Sequence, residues 1–166
     1  MTVRPVVGLP HPVLATPTAI VEAFDDALAE LVADLLDTMR ASPGCVGLAA
    51  PQIGVGRRVA VIDLSGHKKA PLNHGELVLV NPTIESRGAV DVAREGCMSV
   101  PDFTGDVTRA TSLELAWRDE SGSPHRDAFS GFEARAVQHE VDHLDGLLFL
   151  DRVSGREAIF RRKVYK

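Results

Sequence analysis

The chain of 166 residues is 45% hydrophobic with a mean hydropathy close to zero, so it is long enough to bury one core as a single globular domain. Its net charge of −5 argues against general nucleic-acid binding, which needs clustered Lys and Arg to neutralise phosphates. No run approaches the roughly 18 apolar residues of a membrane span, and the first ten residues are too short and proline-broken for a signal peptide, so we expect a cytoplasmic protein.

The first predicted elements are an arm and a helix. Four prolines among residues 1–20 predict an irregular arm packed over the surface. A helix follows, with Asp25 and Asp26 where a helix N-terminus favours negative charge and Pro43-Gly44 just past its end. The apolar residues of this helix recur at helical spacing and predict a core-facing stripe: Phe24, Leu28, Leu31, Val32, Leu35, Leu36 and Met39.

The middle of the chain predicts strands. Short β-branched runs occur at residues 58–62, 77–80, 90–93 and 113–117, and Gly, Pro, Asn and Ser separate them. A group of strands with one helix before it and one after it along the chain is typical of an α+β domain. This order does not fit regular β-α-β alternation.

A second helix is predicted late in the chain. Residues 130–133 fit a capping box, in which the Ser130 hydroxyl accepts from the backbone N–H of Glu133, and Gly146 marks the helix end. Within it lies His139-Glu140-Val141-Asp142-His143, an H-E-x-x-H motif. Histidines four residues apart share one helix face, and this face is otherwise apolar, so both rings should point inward. A buried imidazole needs a partner, and a metal ion can bind two of them.

Together these elements predict an α+β fold with mixed or antiparallel strands around a central metal-binding helix and with the N-terminal helix packed outside. No repeat, low-complexity tract or linker divides the chain, so we expect one catalytic domain over residues 1–166.

A catalytic metal normally takes three protein ligands and leaves one position open for water. The residues alone leave the third ligand open among the carboxylates, the cysteines and four further histidines (His11, His67, His74 and His125). Cys45 and Cys97 are expected to be free thiols or metal ligands, because a structural disulfide is uncommon in a cytosolic chain.

One of these candidates stands in a distinctive block, Glu95-Gly96-Cys97-Met98-Ser99. With Gly47-Leu48-Ala49-Ala50-Pro51-Gln52 upstream and the H-E-x-x-H motif downstream, the chain resembles a peptide deformylase over roughly its whole length. The resemblance implies a hydrolase that removes the N-formyl group from the initiator methionine of nascent polypeptides and releases formate. It also implies that Cys97, His139 and His143 hold one divalent metal ion, natively Fe²⁺, which Zn²⁺, Ni²⁺ or Co²⁺ can replace.

The resemblance further assigns roles in the chemistry. Hydroxide on the metal is expected to attack the formyl carbon, while Glu140 acts as general acid and base and carries the proton to the departing nitrogen. The Gln52 side-chain amide and the Met98 backbone N–H are expected to stabilise the oxyanion. We expect Gly47 and apolar neighbours of these blocks to contact the substrate, and the hypothesis for the methionine pocket is the set of four apolar residues Val46, Phe132, Ala136 and Val137. Gly47 either permits a tight backbone or lets the substrate main chain approach.

Two residues are expected to hold the metal ligands in position without binding the metal themselves. The family has an acidic residue two positions before the ligand Cys and a basic one twelve positions after it, which here are Glu95 and Arg109. We expect this pair to hold the Cys97 loop in place. Asp142 either orients a ligand or ties its helix to a neighbour. Cys45 departs from the family pattern, because the first block usually opens Gly-x-Gly, and this affects the local backbone shape.

The last residues are basic, and a solvated terminus is the usual interpretation of such a run: Arg152, Arg156, Arg161, Arg162, Lys163 and Lys166. Contact with ribosomal RNA near emerging chains is a second hypothesis for this tail. The expected partners are therefore N-formyl-methionyl peptides and the ribosome, without a membrane, and the protein is expected to be a monomer.

Two other functions share part of this pattern. A metallopeptidase also uses H-E-x-x-H, but it typically takes its third ligand from a His or Glu. A non-enzymatic binding module stabilised by a metal would close the site with a fourth protein ligand.

Overall fold

The computed structural model describes residues 2–163, which form an α+β fold as the sequence predicts. Within residues 2–163, no helix is both long and apolar enough to cross a membrane. The two α-helices are α1 (Asp26–Arg40) and α2 (Gly131–Leu144). The strands are β1 (Gly47–Ala49), β2 (Val59–Asp63), β3 (Glu76–Arg87), β4 (Val90–Cys97), β5 (Val100–Ala110), β6 (Ser112–Arg118), β7 (Pro124–Ser130) and β8 (Ile159–Arg161).

The strands form two sheets. One has the order β1-β2-β3-β6-β7 and the other the order β4-β5-β8, and all pairings between these strands are antiparallel. Three of the predicted runs lie in β3, β4 and β6, and the run at 58–62 matches β2 to within one residue at each end, so these predictions are confirmed. The remaining strands were not predicted. In β5 and β7, charged residues, glycine and proline interrupt the apolar pattern, and these strands depend on partners elsewhere in the chain.

Helix α1 covers the first sheet from outside. The Asp25 side chain accepts from the backbone N–H of Leu28 and so caps the first turn. The apolar stripe, including fully buried Leu28 and Leu35, packs in one cluster with Leu48, Val59 and other residues of β1 and β2. Phe24 precedes the cap and lies outside the helix, so its assignment to the helical stripe is wrong.

Helix α2 is the central helix, since it contacts β1 and β2 of the first sheet and β5 of the second. It begins after Ser130, as predicted, but Ser130 makes no side-chain cap and the capping-box prediction is wrong. The Glu133 carboxylate is instead bound by the backbone N–H and the ring of His74 at 2.8 and 2.7 Å. Gly146 has a φ of 79° just after the helix, a conformation that glycine adopts without strain.

The basic tail is more ordered than a solvated terminus, so that interpretation is wrong for part of it. Arg152 forms an ion pair with buried Asp142, and β8 pairs with β5. Lys166 lies outside the described residues.

Candidate metal centre

Among residues 2–163, one group of side chains could hold a metal ion: Cys97, His139 and His143, whose donor atoms all lie within 4.8 Å of one another. Cys97 is the last residue of β4, just before the two-residue turn into β5. The two histidines project from the same face of α2, as the four-residue spacing predicts. The fold therefore brings together a thiol from a strand end and two imidazoles from the central helix.

The donor set fits a divalent ion. Cys97 Sγ lies 3.4 Å from His143 Nε2, close to the separation of about 3.6 Å that bond lengths to a tetrahedral zinc ion require. Burial lowers the pKa of His143 well below its usual value, which keeps this ring neutral as a ligand must be. His139 Nδ1 lies 2.8 Å from Glu95 Oε1, so a proton on Nδ1 leaves Nε2 as the donor atom.

Both carboxylate oxygens of Glu95 accept hydrogen bonds, and one of them contacts the ring of His139. Its carboxylate accepts from Arg109 at 2.9 and 3.0 Å and from Arg135 at 2.7 Å, in addition to His139. Burial alone would raise the pKa of Glu95, but the hydrogen bonds from His139 and Arg109 hold it far below the usual range. Glu95 therefore stays ionised and fixes the orientation of the His139 ring.

The same network continues to Asp142. Arg109 bridges Glu95 and Asp142, and Arg152 donates two further hydrogen bonds to Asp142. Asp142 thus ties α2 to β5 and to the tail, which is one of its two predicted roles. Arg135 was missed at the sequence level, although its position four residues before His139 places it on the ligand face of the helix.

Glu140 is buried like Glu95 but is bonded differently. It is 4% exposed, and its Oε2 has no hydrogen-bond partner among the described residues. Burial raises the pKa of Glu140 to about 7. A Cβ on Gly47 would lie only 2.8 Å from Oε1 of Glu140, so the missing side chain at Gly47 makes room for this carboxyl group. That close approach gives Gly47 a role that neither of its predicted roles included.

The Gln52 amide is held at both ends. Its Oε1 accepts from the backbone N–H of Ala49 at 3.0 Å, and its Nε2 donates to Cys97 Sγ at 3.4 Å and Ser99 Oγ at 3.3 Å. This arrangement directs the Nε2 group of a side chain that is 2% exposed toward the ligand sulfur. Ser99 was not predicted as a partner, although it stands in the same block as Cys97. Met98 occupies the turn between β4 and β5.

A cavity of about 300 Å³ opens beside the ligands. Its walls include Val46, Phe132 and Ala136, three of the residues proposed for the methionine pocket, whereas Val137 lies fully buried in the core and lines no part of it. The assignment of Val137 to the pocket is therefore wrong.

Cys45 also lines this cavity, and its Sγ donates to the Gly47 carbonyl at 3.1 Å. Burial raises the pKa of the Cys45 thiol to about 12, so it stays protonated at neutral pH. Both cysteines are free thiols, as expected.

Comparisons with known proteins agree with this geometry. A family model described as "Polypeptide deformylase" matches residues 3–158. The peptide deformylase of Chlorobaculum parvum is 41% identical over 99% of this chain and 85% of its own length, and peptide deformylase 1 of Bacillus subtilis is 44% identical over 93% and 92%. The crystal structure of a peptide deformylase from Legionella pneumophila, at 40% identity, aligns with a TM-score of 0.84 over 92% of this chain and 87% of that one. A Synechococcus elongatus peptide deformylase in complex with actinonin, also 40% identical, aligns with a TM-score of 0.82 over 92% and 80%.

Proposed function

Because the chain belongs to the peptide deformylase family, we propose that the buried centre is the active site of a metal-dependent hydrolase acting on formyl-methionyl peptides. The enzyme removes the N-formyl group from the initiator methionine of nascent polypeptides and releases formate. The observation that carries the proposal is the convergence of Cys97, His139 and His143 beside Glu140, whose Oε2 is unbonded among residues 2–163. A cavity in front of them has room for a substrate.

Cys97, His139 and His143 are the residues that would hold the metal. One thiolate and two neutral imidazoles suit Fe²⁺, Zn²⁺, Ni²⁺ and Co²⁺, and the family resemblance favours Fe²⁺ as the native ion. When bound, such an ion supplies positive charge that lowers the pKa of a water molecule and polarises the formyl oxygen. Three ligands leave a position open for that chemistry.

Glu140 is the proposed general acid and base. A group that takes a proton from water and returns it to the leaving nitrogen works best when its pKa is close to the working pH. Burial raises the pKa of this carboxyl to about 7, and its free Oε2 is available to a substrate or water molecule. Gly47 leaves space for the carboxyl group next to β1.

Gln52 and Met98 are proposed to bind the formyl oxygen. Because Ala49 holds Oε1 of the Gln52 side chain, its Nε2 is directed toward the centre, where its contact with the Cys97 sulfur is long at 3.4 Å. A formyl oxygen can replace that weak contact and accept a stronger hydrogen bond as negative charge develops. The backbone N–H of Met98 is the second proposed donor.

The apolar wall of the cavity is proposed to bind the methionine side chain. Val46, Phe132 and Ala136 supply apolar surface, and Gly47 provides backbone on the edge strand β1 for an extended peptide. Residues 1–166 are proposed to act as one catalytic domain, as a monomer and in the cytoplasm where nascent chains emerge.

The basic tail is a separate proposal. Arg156, Arg161 and Lys163 are exposed, and we propose that they contact ribosomal RNA near emerging chains. Cosedimentation with ribosomes should weaken steeply as salt rises, because phosphate contacts release counterions. Binding that is absent or independent of salt would refute this contact.

Formate release tests the proposed activity directly. Protein purified under anaerobic conditions should contain one metal ion per chain, chiefly iron, and should release formate from formyl-Met-Ala. The same preparation should leave the peptide bond of unformylated Met-Ala intact, which separates this enzyme from a metallopeptidase. Inhibition by a hydroxamate, which needs an open coordination position, separates it from a closed structural metal site.

A further inference from the structure

The cavity in front of the ligands opens past three cationic side chains, Lys69, Arg94 and Arg162, which together form what we call the basic mouth. Lys69 belongs to the segment between β2 and β3, Arg94 to β4, and Arg162 follows β8. Three separate parts of the chain thus bring positive charge to one opening.

The negative charges of the cavity do not balance the basic mouth. Its lining carboxylates are Glu95 and Glu140, which are only 8% and 4% exposed, and Glu95 is already neutralised by Arg109 and Arg135. Among the residues that line the cavity, the exposed charged side chains are therefore all positive, although the whole chain has a net charge of −5.

Two of the three cations have no carboxylate partner within residues 2–163. Arg94 is bound by Asp106 at 2.9 Å and lies over the Phe160 ring at 3.9 Å. The Lys69 amine lies 5.4 Å from the centre of the Phe132 ring, so it stands over a wall of the proposed methionine pocket.

Arg162 lies beside the end of β4, next to Gly96 and Cys97. Its guanidinium lies 3.5 Å from the Cys97 carbonyl oxygen, and a Cβ on Gly96 would come within 2.7 Å of it. The charge of Arg162 is therefore held next to the backbone of a proposed metal ligand.

We propose that Lys69 and Arg162 determine sequence preference beyond methionine, by favouring formyl-methionyl peptides that have Asp or Glu as the second or third residue. The inference rests on the proposed function, in which the formyl-methionine group fills the interior of the cavity. An extended peptide advances about 3.3 Å per residue, so the next two residues cross the basic mouth on their way to solvent. A carboxylate there finds two cations that no other acidic side chain of residues 2–163 pairs with.

The expected preference is modest because the cations are exposed. Ion pairs at such positions change an equilibrium or rate by about two- to threefold each and are screened by salt. For both cations together, kcat/KM should favour the acidic peptide by about three- to tenfold at low ionic strength. The preference should shrink as salt is added, while the rate on a neutral peptide changes little.

The test compares formyl-Met-Ala-Glu amide with formyl-Met-Ala-Gln amide, and formyl-Met-Glu-Ala amide with formyl-Met-Gln-Ala amide. The amides remove the terminal carboxylate, which would otherwise be a second anion. The measured quantity is the ratio of kcat/KM for the Glu peptide to that for the Gln peptide, in the metal-loaded enzyme. Any loss of metal or folded protein in a variant cancels in this ratio.

The double variant Lys69→Gln/Arg162→Gln should bring the ratio close to one. The matched control is Lys68→Gln/Arg161→Gln, which removes the same charge from exposed neighbours that do not line the cavity, and it should keep the preference. Replacing Lys69 and Arg162 by Glu should reverse the preference toward a Lys peptide.

A ratio of one or less in the unaltered enzyme overturns the inference while leaving the proposed function intact, because formate is still released from the Gln peptides. An equal loss of preference in the control variant also overturns it, since overall charge would then explain the effect. Absence of formate from all four peptides overturns the proposed function itself.

Discussion

Glu95 and Glu140, two buried glutamates near His139 and His143, show how differently one fold can treat the same side chain. Glu95 is bonded on both oxygens by two arginines and a histidine, and its pKa is held far below the usual range. Glu140 leaves Oε2 without a partner among residues 2–163, and burial raises its pKa to about 7. A carboxylate with all its hydrogen bonds made, such as Glu95, can hold the His139 ring in place. A carboxyl group with an oxygen left without a partner, such as Glu140, can exchange protons.

The largest effect on activity should come from replacing Glu140. Glu140→Gln keeps the shape of the side chain but cannot take a proton, so formate release should fall by about 10²- to 10⁴-fold. Metal content should stay at one ion per chain, because Glu140 is not a proposed ligand. Retention of full activity would remove Glu140 from acid and base chemistry.

Replacing Glu95 should lower the stability of the protein instead. Glu95→Gln leaves Arg109 and Arg135 without their shared carboxylate, and breaking one side of a buried ion pair costs about 3 to 5 kcal/mol in the free energy of unfolding. Metal affinity should also fall, by about 10- to 100-fold, because the His139 ring loses its orienting partner.

Urea unfolding and metal titration measure both effects of this change. The matched control Glu30→Gln, on the exposed side of α1, should change neither. If Glu95→Gln were as stable as the parent and bound metal as tightly, Glu95 would have no positioning role.

The pH dependence of the metal-free protein should separate the two glutamates further. The Glu140 carboxyl has a pKa of about 7 when folded and an ordinary value of 4.5 when unfolded. Between these values the folded chain binds a proton that the unfolded chain has lost, so stability falls as pH rises through this window.

The Glu140→Gln variant has no carboxyl group at this position that can gain or lose a proton. Relative to the parent, the metal-free variant should gain stability from about pH 4.5 to pH 7, by about 3 kcal/mol in total, and no more above that. Unfolding in urea at several pH values gives the difference. A difference that does not change with pH would show that the Glu140 carboxyl is not buried as described.

The smallest of these effects concerns the space that Glu140 occupies. In Gly47→Ala, the new methyl group would meet the carboxyl oxygen at 2.8 Å, so the carboxyl group must move by a few tenths of an ångström. We expect a decrease in kcat of about tenfold with little loss of stability, since small displacements of a catalytic group lower rates. The matched control is Gly56→Ala, where nothing lies within 4 Å of the added methyl group. Equal kinetics for the two variants would contradict the prediction.

The parts of the site that the sequence predicted are those set by local spacing or by a continuous block. His139 and His143 share a face because helices repeat every 3.6 residues, and this holds whatever surrounds them. Cys97, Gln52 and the pair of Glu95 and Arg109 came from the family blocks and not from spacing.

What the sequence did not predict depends on distant partners. The capping-box prediction failed because Glu133 is bound by His74, 59 residues away. Strand β8 exists only because β5 offers an edge, and Arg152 is drawn to Asp142 by a charge on another element. Such contacts leave no periodic pattern in the chain, so pattern analysis cannot detect them.

The most direct test of the account is X-ray absorption spectroscopy of the metal-loaded protein at the metal edge. We predict one sulfur at about 2.3 Å and two imidazole nitrogens at about 2.1 Å, together with one light atom that a hydroxamate inhibitor replaces. Loss of the sulfur signal in Cys97→Ala would assign it to this residue. A spectrum without sulfur, or one with four protein donors that a hydroxamate does not alter, would contradict the central claim that Cys97, His139 and His143 hold the metal and leave one position open.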